Sequence, residues 1–192
     1  YLQPNESVQP DAVSRCHEPM TMREILIVPD ARLKRRVAPV ACVDAGVRAL
    51  MAEMLAAMHA ANGIGLAAPQ LGVQARVIVA DVAPPDQPPA PVCMANPVVL
   101  WRSAELITGE EGCLSLPEQY ADVTRPAAVR IGYRDADNVA RELAADGLLA
   151  KCLQHEIDHL DGILFIDHIS ALKRNIILRK LAKARKQADA AV

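Results

Sequence analysis

Aromatic side chains are nearly missing from this 192-residue sequence, which has one Trp, three Tyr and one Phe. A surface that stacks bases or sugar rings needs more of them, so neither kind of platform is indicated, and the core must be aliphatic. An excess of one charge is lacking too. With 21 Lys and Arg against 23 Asp and Glu, the formal net charge is −2, which gives no global reason to bind nucleic acid, a membrane or an acidic partner. No apolar run reaches the roughly 18 residues that would cross a bilayer, and the amino end lacks a basic-then-apolar signal segment. The cysteines (Cys16, Cys42, Cys93, Cys113 and Cys152) are odd in number and show no Cys-x-x-Cys spacing. That argues against a disulfide framework and fits a reducing cytoplasm.

What is present is 52% hydrophobic residues, enough to fill the core of one domain. Residues 1–21 are polar and poorly periodic and read as a tag or disordered extension, with Met20 or Met22 as the natural start, which leaves 22–192 as a single catalytic domain. Asp44 reads as the N-cap of a helix whose apolar stripe is Val47, Leu50, Met51, Met54, Leu55 and Met58, ended by Asn62-Gly63. The methionines fit a buried stripe better than a plastic binding face. Short β-branched pieces at 75–82, 98–101, 121–124, 129–133 and 139–143, with a turn at 135–138, predict antiparallel strands. Helical spacing returns from Asp146 to His159, closed by Gly162, and again over 170–186. Strands interspersed with three helices predict an α+β fold: antiparallel sheets around a central metal-binding helix, with an N-terminal and a C-terminal helix.

The chemistry starts at His155-Glu156-Ile157-Asp158-His159. Residues four apart on a helix share a face, so both imidazoles can reach one ion, and Glu156 can reach a metal-bound water without ligating. A catalytic site needs a third protein ligand. The metzincin position for it, six residues after the second histidine, is Phe165; no Glu follows Glu156 to serve a gluzincin arrangement; and His168, beyond the expected helix end, reads as a surface or strand histidine. Cys113, in Glu111-Gly112-Cys113-Leu114-Ser115-Leu116-Pro117, offers a soft ligand upstream. On its own it is more readily a small buried cysteine than a ligand, so the residues alone leave the third ligand open.

Three separated words resolve it by resemblance. Gly63-Ile64-Gly65-Leu66-Ala67-Ala68-Pro69-Gln70, Glu111-Gly112-Cys113-Leu114-Ser115 and Gln154-His155-Glu156-Ile157-Asp158-His159 resemble, in order and spacing, the three motifs of bacterial peptide deformylases, and the likeness runs from about Met22 to the carboxyl end. The resemblance implies Cys113, His155 and His159 as metal ligands, Glu156 as general acid/base, and Gln70 with the Leu114 N–H as oxyanion donors. It implies one Fe2+ per chain, replaceable by Zn2+ or Ni2+ during preparation, and hydrolysis of the N-formyl group of N-formylmethionyl nascent peptides with release of formate.

A further expectation is that the peptide lies extended near Ile64, Gly65 and Gly112, with the methionine side chain in a pocket shared with Leu148, Leu149 and Cys152. Tyr120 stands where many bacterial members carry arginine, and Lys151 where an aliphatic residue is common; Arg125 is either a partner of Glu111 that fixes the cysteine loop or an exposed arginine. Helix 170–186 carries seven basic residues and no acid. This is a solvated face or, as in bacterial relatives that dock a C-terminal helix on the ribosome, a contact for rRNA phosphate. The expected state is a cytoplasmic monomer. Competing readings are a zincin protease, which lacks its third ligand, and a catalytically silent ribosome-associated module, against which the intact site residues argue.

Overall fold

The methionine stripe decides where the first helix goes. In the computed structural model, which describes residues 23–84 and 86–190, α1 (Ala45–Ala60) starts where the Asp44 carboxylate accepts the Val47 N–H at 2.9 Å, and Met51, Met54 and Met58 are all buried. Strands follow: β1 (Gly65–Ala67), β2 (Val77–Ala80), β3 (Val92–Arg102), β4 (Leu106–Cys113), β5 (Leu116–Pro126), β6 (Ala128–Arg134) and β7 (Ala140–Asp146). The chain ends on α2 (Gly147–Leu160) and α3 (Ala171–Asp189). The expected extension over residues 1–21 lies outside the described residues.

The strands pair antiparallel throughout, as a five-stranded sheet in the order β1-β2-β3-β6-β7 and a separate β4-β5 hairpin. Strand β2 shows why its sequence is unbroken in apolar character rather than alternating. Successive side chains point to opposite faces, and here both faces are covered: Val77 and Val79 pack with Met51, Met54 and Met58, whereas Ile78 and Ala80 pack with Ala150, Leu153 and Ile157 of α2. Helices α1 and α2 thus clasp the sheet between them. A third cluster joins the hairpin to the carboxyl end, with Leu116 and Val123 against Phe165, Ile166, Ile177 and Leu181.

Three of the five expected pieces (98–101, 121–124 and 129–133) fall inside longer strands, and the other two overlap strands with different bounds. The 98–101 piece is part of an 11-residue strand, the 75–82 piece shrinks to four residues, and 139–143 moves on to Ala140–Asp146. Strand β4 is not among the expected strand pieces, although Cys113 could be read as pointing out of a strand end. Its sequence, Leu-Ile-Thr-Gly-Glu-Glu-Gly-Cys, has two glycines, two acids and mostly exposed apolar residues, so the pairing with β5 rather than local propensity makes it a strand. Helix α2 ends at Gly162, whose φ of +73° is the left-handed conformation that glycine adopts without penalty. An added Cβ there would also meet the Lys34 backbone at 2.6 Å.

Candidate metal centre and substrate cavity

Helix α2 carries His155, Glu156 and His159 on a face buried against the hairpin, with the two imidazole centroids 5.0 Å apart. The hairpin supplies the rest. At the end of β4, Cys113 places its Sγ 3.2 Å from His159 Nε2, and the ligand atoms of Cys113, His155 and His159 all lie within 4.8 Å of one another. Tetrahedral bonds of about 2.0–2.3 Å put neighbouring donor atoms about 3.5 Å apart, so the spacing suits one ion.

The ring of His155 is held on two sides. Its Nδ1–H donates to Glu111 Oε2 at 2.9 Å, which leaves Nε2 as the nitrogen free to ligate, and Phe165 stacks on it with centroids 6.3 Å apart. Glu111 is in turn gripped by Arg125 from β5, at 2.5 Å from Nε and 3.0 Å from Nη2. Of the two readings of Arg125, this is the pair with Glu111. Burial alone would push the Glu111 carboxyl up, but hydrogen bonds from His155 and Arg125 outweigh it and hold it at about 2.

His159 is pushed well below the usual imidazole range by burial and then by the charge on His155, so it is neutral, as a ligand must be. Burial would lower His155 too, but its hydrogen bonds with Cys113 and Glu111 win and raise it; a metal ion held by that ring would take the place of the proton. Glu156 is pushed up to about 7 by burial, against the attraction of His155. Its Oε2 is buried with no hydrogen-bond partner, an acceptor left for a polar group in the adjoining cavity to satisfy. A thiol, two imidazoles and an unpartnered carboxylate oxygen together fit a catalytic metal with its water.

In front of these groups lies a cavity of about 450 Å³ lined by Ile64, Gly65, Gln70, Gly112, Leu114, Leu148, Cys152 and others. Gln70 sits in a 3-10 turn after β1, where its Oε1 accepts the Ala67 N–H at 2.8 Å and its Nε2 donates to Ser115 Oγ at 3.2 Å and toward Cys113 Sγ at 3.6 Å. Leu114 is in the turn between β4 and β5. Gly65 has to be glycine because a Cβ would come within 2.7 Å of Cys152 Sγ and nearer still to the Glu156 carboxylate. Cys152 donates to the Ile64 carbonyl at 3.4 Å, and burial followed by the charges of Glu156 and Glu111 pushes its thiol well up. It is a neutral wall of the cavity.

One expected wall residue is elsewhere. Leu149 does not line the cavity; one position round the helix from Leu148, about 100°, it packs on the core between α2 and the sheet. His168 is an exposed surface histidine, one of its two expected placements, and not in a strand. It caps the 3-10 turn Phe165–Asp167 and bonds Asp158 through Nε2 at 2.7 Å. The expectations did not include the Glu111 contact to His155, the Ser115 partner of Gln70, or Asp158, whose Oδ2 also accepts from Arg125 Nη1 at 2.8 Å. The available signal was position, since Glu111 stands two residues before Cys113 and Asp158 between the two histidines.

A family model described as polypeptide deformylase matches residues 22–175. The chain belongs to that family. A peptide deformylase of Methylocella silvestris is 58% identical over 170 residues, covering 87% of each chain, and one of Mesorhizobium japonicum is 49% identical over 87% of this chain and 95% of its own. Among solved structures, peptide deformylase of Ehrlichia chaffeensis superposes with a TM-score of 0.83 at 36% identity, covering 88% of this chain and 99% of its own. Like other deformylases, this chain is a metal-dependent hydrolase that removes the N-formyl group from the amino-terminal formylmethionine of newly made polypeptides and releases formate. The α+β fold, with antiparallel sheets and three helices, agrees with its deformylase neighbours.

Proposed function

We propose that Cys113, His155 and His159 hold a single Fe2+, that Glu156 is the general acid/base, and that Gln70 and the Leu114 N–H stabilise the oxyanion, all within one catalytic domain spanning 22–192. The observation that carries this reading is the convergence of the three ligand atoms within 4.8 Å beside the unpartnered Glu156 Oε2. A Cys/His/His set is borderline in softness, so it accepts iron, zinc or nickel, and the thiolate favours a reduced, oxygen-sensitive centre. When bound, the ion supplies Lewis acidity that brings a water from a pKa of 15.7 towards roughly 7.

The remaining steps belong to the chain's own residues. Glu156, held near 7, takes the proton of the attacking water and returns it to the departing amine nitrogen as the formyl C–N bond breaks. Charge that develops on the formyl oxygen meets the Gln70 amide, turned from its contact with Cys113, and the Leu114 N–H. Gly65 and Gly112, on strands that flank the cavity, are suited to an extended peptide backbone, and Ile64, Leu148 and Cys152 to the methionine side chain.

The test is an anaerobic assay of a formyl-Met dipeptide with metal content measured on the same sample. Iron-loaded protein is expected to release formate faster than the zinc form; iron-loaded protein without formate release sinks the reading.

We place the enzyme in the cytoplasm, where formylated nascent chains emerge, and read it as a monomer. Among the described residues, no helix is long and apolar enough to cross a membrane. Ribosome contact through α3 is the second part of this reading. Its inner face, Ile177 and Leu181, is used up on the core, whereas Lys173, Arg179, Lys180, Lys183, Arg185 and Lys186 are exposed. Replacing Lys180 and Lys183 by Glu is expected to weaken ribosome co-sedimentation and flatten its salt dependence, with formyl-dipeptide turnover unchanged.

A further inference from the structure

His168 lies outside the cavity, yet an unbroken line of polar contacts joins it to the metal centre. Its Nε2–H donates to Asp158 Oδ2 at 2.7 Å; the same oxygen accepts from Arg125 Nη1 at 2.8 Å; Arg125 holds both oxygens of Glu111; and Glu111 Oε2 accepts from His155 Nδ1 at 2.9 Å. Burial falls away along this line. The Glu111 and Arg125 side chains are 3% and 6% exposed, Asp158 is 20% and His168 is 34%. Asp158 is therefore the carboxylate of the line whose grip on Arg125 solvent can contest, and His168 bonds the oxygen that makes that grip.

The turn that carries His168 is itself anchored. The His168 N–H donates to the Phe165 carbonyl at 3.1 Å, and Asp167 accepts the Leu164 N–H at 2.8 Å and pairs with Lys34. Phe165 of the same turn stacks on His155. One short turn thus reaches the ring of His155 twice, directly by stacking and indirectly through the ion pairs.

We propose that His168 is a positioning residue for the metal centre: by holding Asp158 against Arg125 it fixes the Glu111 carboxylate that orients the ring of His155. The inference rests on the reading of His155 as a ligand. Loss of a partner that directly orients a ligand costs about 10- to 100-fold in metal affinity. His168 acts through three intervening side chains, so its loss is expected to cost less, roughly 3- to 10-fold.

The experiment uses the full chain loaded with Co2+, comparing the natural protein with His168→Ala and His168→Gln, since a glutamine amide can donate from about the position of Nε2. Three readings are taken: the rate of Co2+ loss to a chelator, the visible and thiolate-to-cobalt absorption bands, and the thermal unfolding midpoint without metal. His168→Ala is expected to lose Co2+ about 3- to 10-fold faster with altered bands, and His168→Gln to lie within about twofold of the natural protein with its bands restored. Unchanged loss rate and bands in His168→Ala overturn the proposal. So does a His168→Gln protein that behaves like His168→Ala while unfolding at the natural temperature, because the hydrogen bond is then not what matters. Should His168→Ala fail to fold, His168→Gln alone decides, by keeping or losing the natural bands and loss rate. A natural protein that takes up no Co2+ with thiolate bands instead defeats the ligand assignment itself.

Discussion

The floor and the mouth of the cavity are built differently. On the floor, Glu111, Arg125, His155, His159, Gln70 and Ser115 are all buried, and nearly every polar atom has a partner on a different element. At the mouth, Ile64, Leu148 and Tyr120 are exposed, and Lys151 beside them reaches the Glu110 carbonyl at 2.9 Å. Buried polar groups are costly when they lose a partner, so the floor admits few changes. Exposed apolar side chains on a rim lose little when changed, so the mouth can vary with the peptides it receives. The single unpartnered carboxylate oxygen on the floor is on Glu156, the residue that must exchange protons.

The contrast breaks most sharply if Glu156→Ala stays active. We expect turnover of a formyl-Met peptide to fall by about 10²- to 10⁴-fold, with metal content per chain unchanged; parallel metal analysis separates loss of the acid/base from loss of the ion. Next is Gln70→Ala, expected to cost about a hundredfold to a thousandfold in kcat if its amide serves the oxyanion. Because Gln70 also ties the Ala67 N–H to Ser115 across the floor, its unfolding temperature is to be measured alongside.

A smaller effect tests how the floor is held together. Glu111→Gln is expected to weaken metal binding by about 10- to 100-fold, measured by chelator competition. It also has a pH signature. The Glu111 carboxyl is held at about 2, below its value in an unfolded chain, so its stabilisation is complete above the unfolded value near 4.5 and is lost as pH falls from there through about 2. Denaturant midpoints of the natural protein and Glu111→Gln are therefore expected to differ by a constant amount above about pH 5 and to converge below it. A gap that widens toward acid reverses the sign and removes Glu111 from the account.

The same division explains what the amino-acid sequence could reveal. The floor's ligands and acid/base sit in short words with fixed spacing, because helical periodicity puts His155 and His159 on one face and a strand end carries Cys113. Amphipathic α1 was equally legible through its buried stripe. Strand β4 was not, since an exposed hairpin strand with two glycines is made by its partner β5 and carries no period of its own. Nor was the line Glu111–Arg125–Asp158–His168 legible beyond its first pair, because Asp158 and His168 are joined only once Gly162 turns the chain back along α2. Leu149 was misplaced because a one-residue step rotates a helical side chain by about 100°, from cavity to core.

The mouth yields the smallest expected effect and the one most specific to this chain. Tyr120 is 63% exposed, and its ring lies so close over Gly112 that a Cβ there would approach it to 2.6 Å, so the tyrosine covers the strand along which an extended peptide is proposed to lie. Lys151 adds a cation on α2 at the same rim, tethered to the β4 backbone. Neither touches a ligand atom, so Tyr120→Arg and Lys151→Ile should leave metal content and kcat alone. What should change is KM, and only among formyl-Met peptides that differ at the second and third residues. There, exposed contacts and partly screened charges are worth about 1 kcal/mol or less, or up to about fivefold. A panel with acidic, basic and apolar second residues measures this: loss of Lys151 should raise KM for the acidic peptide relative to the basic one. Equal changes for all three peptides would place Lys151 in the general support of the hairpin instead, and the mouth would then share the rigidity of the floor.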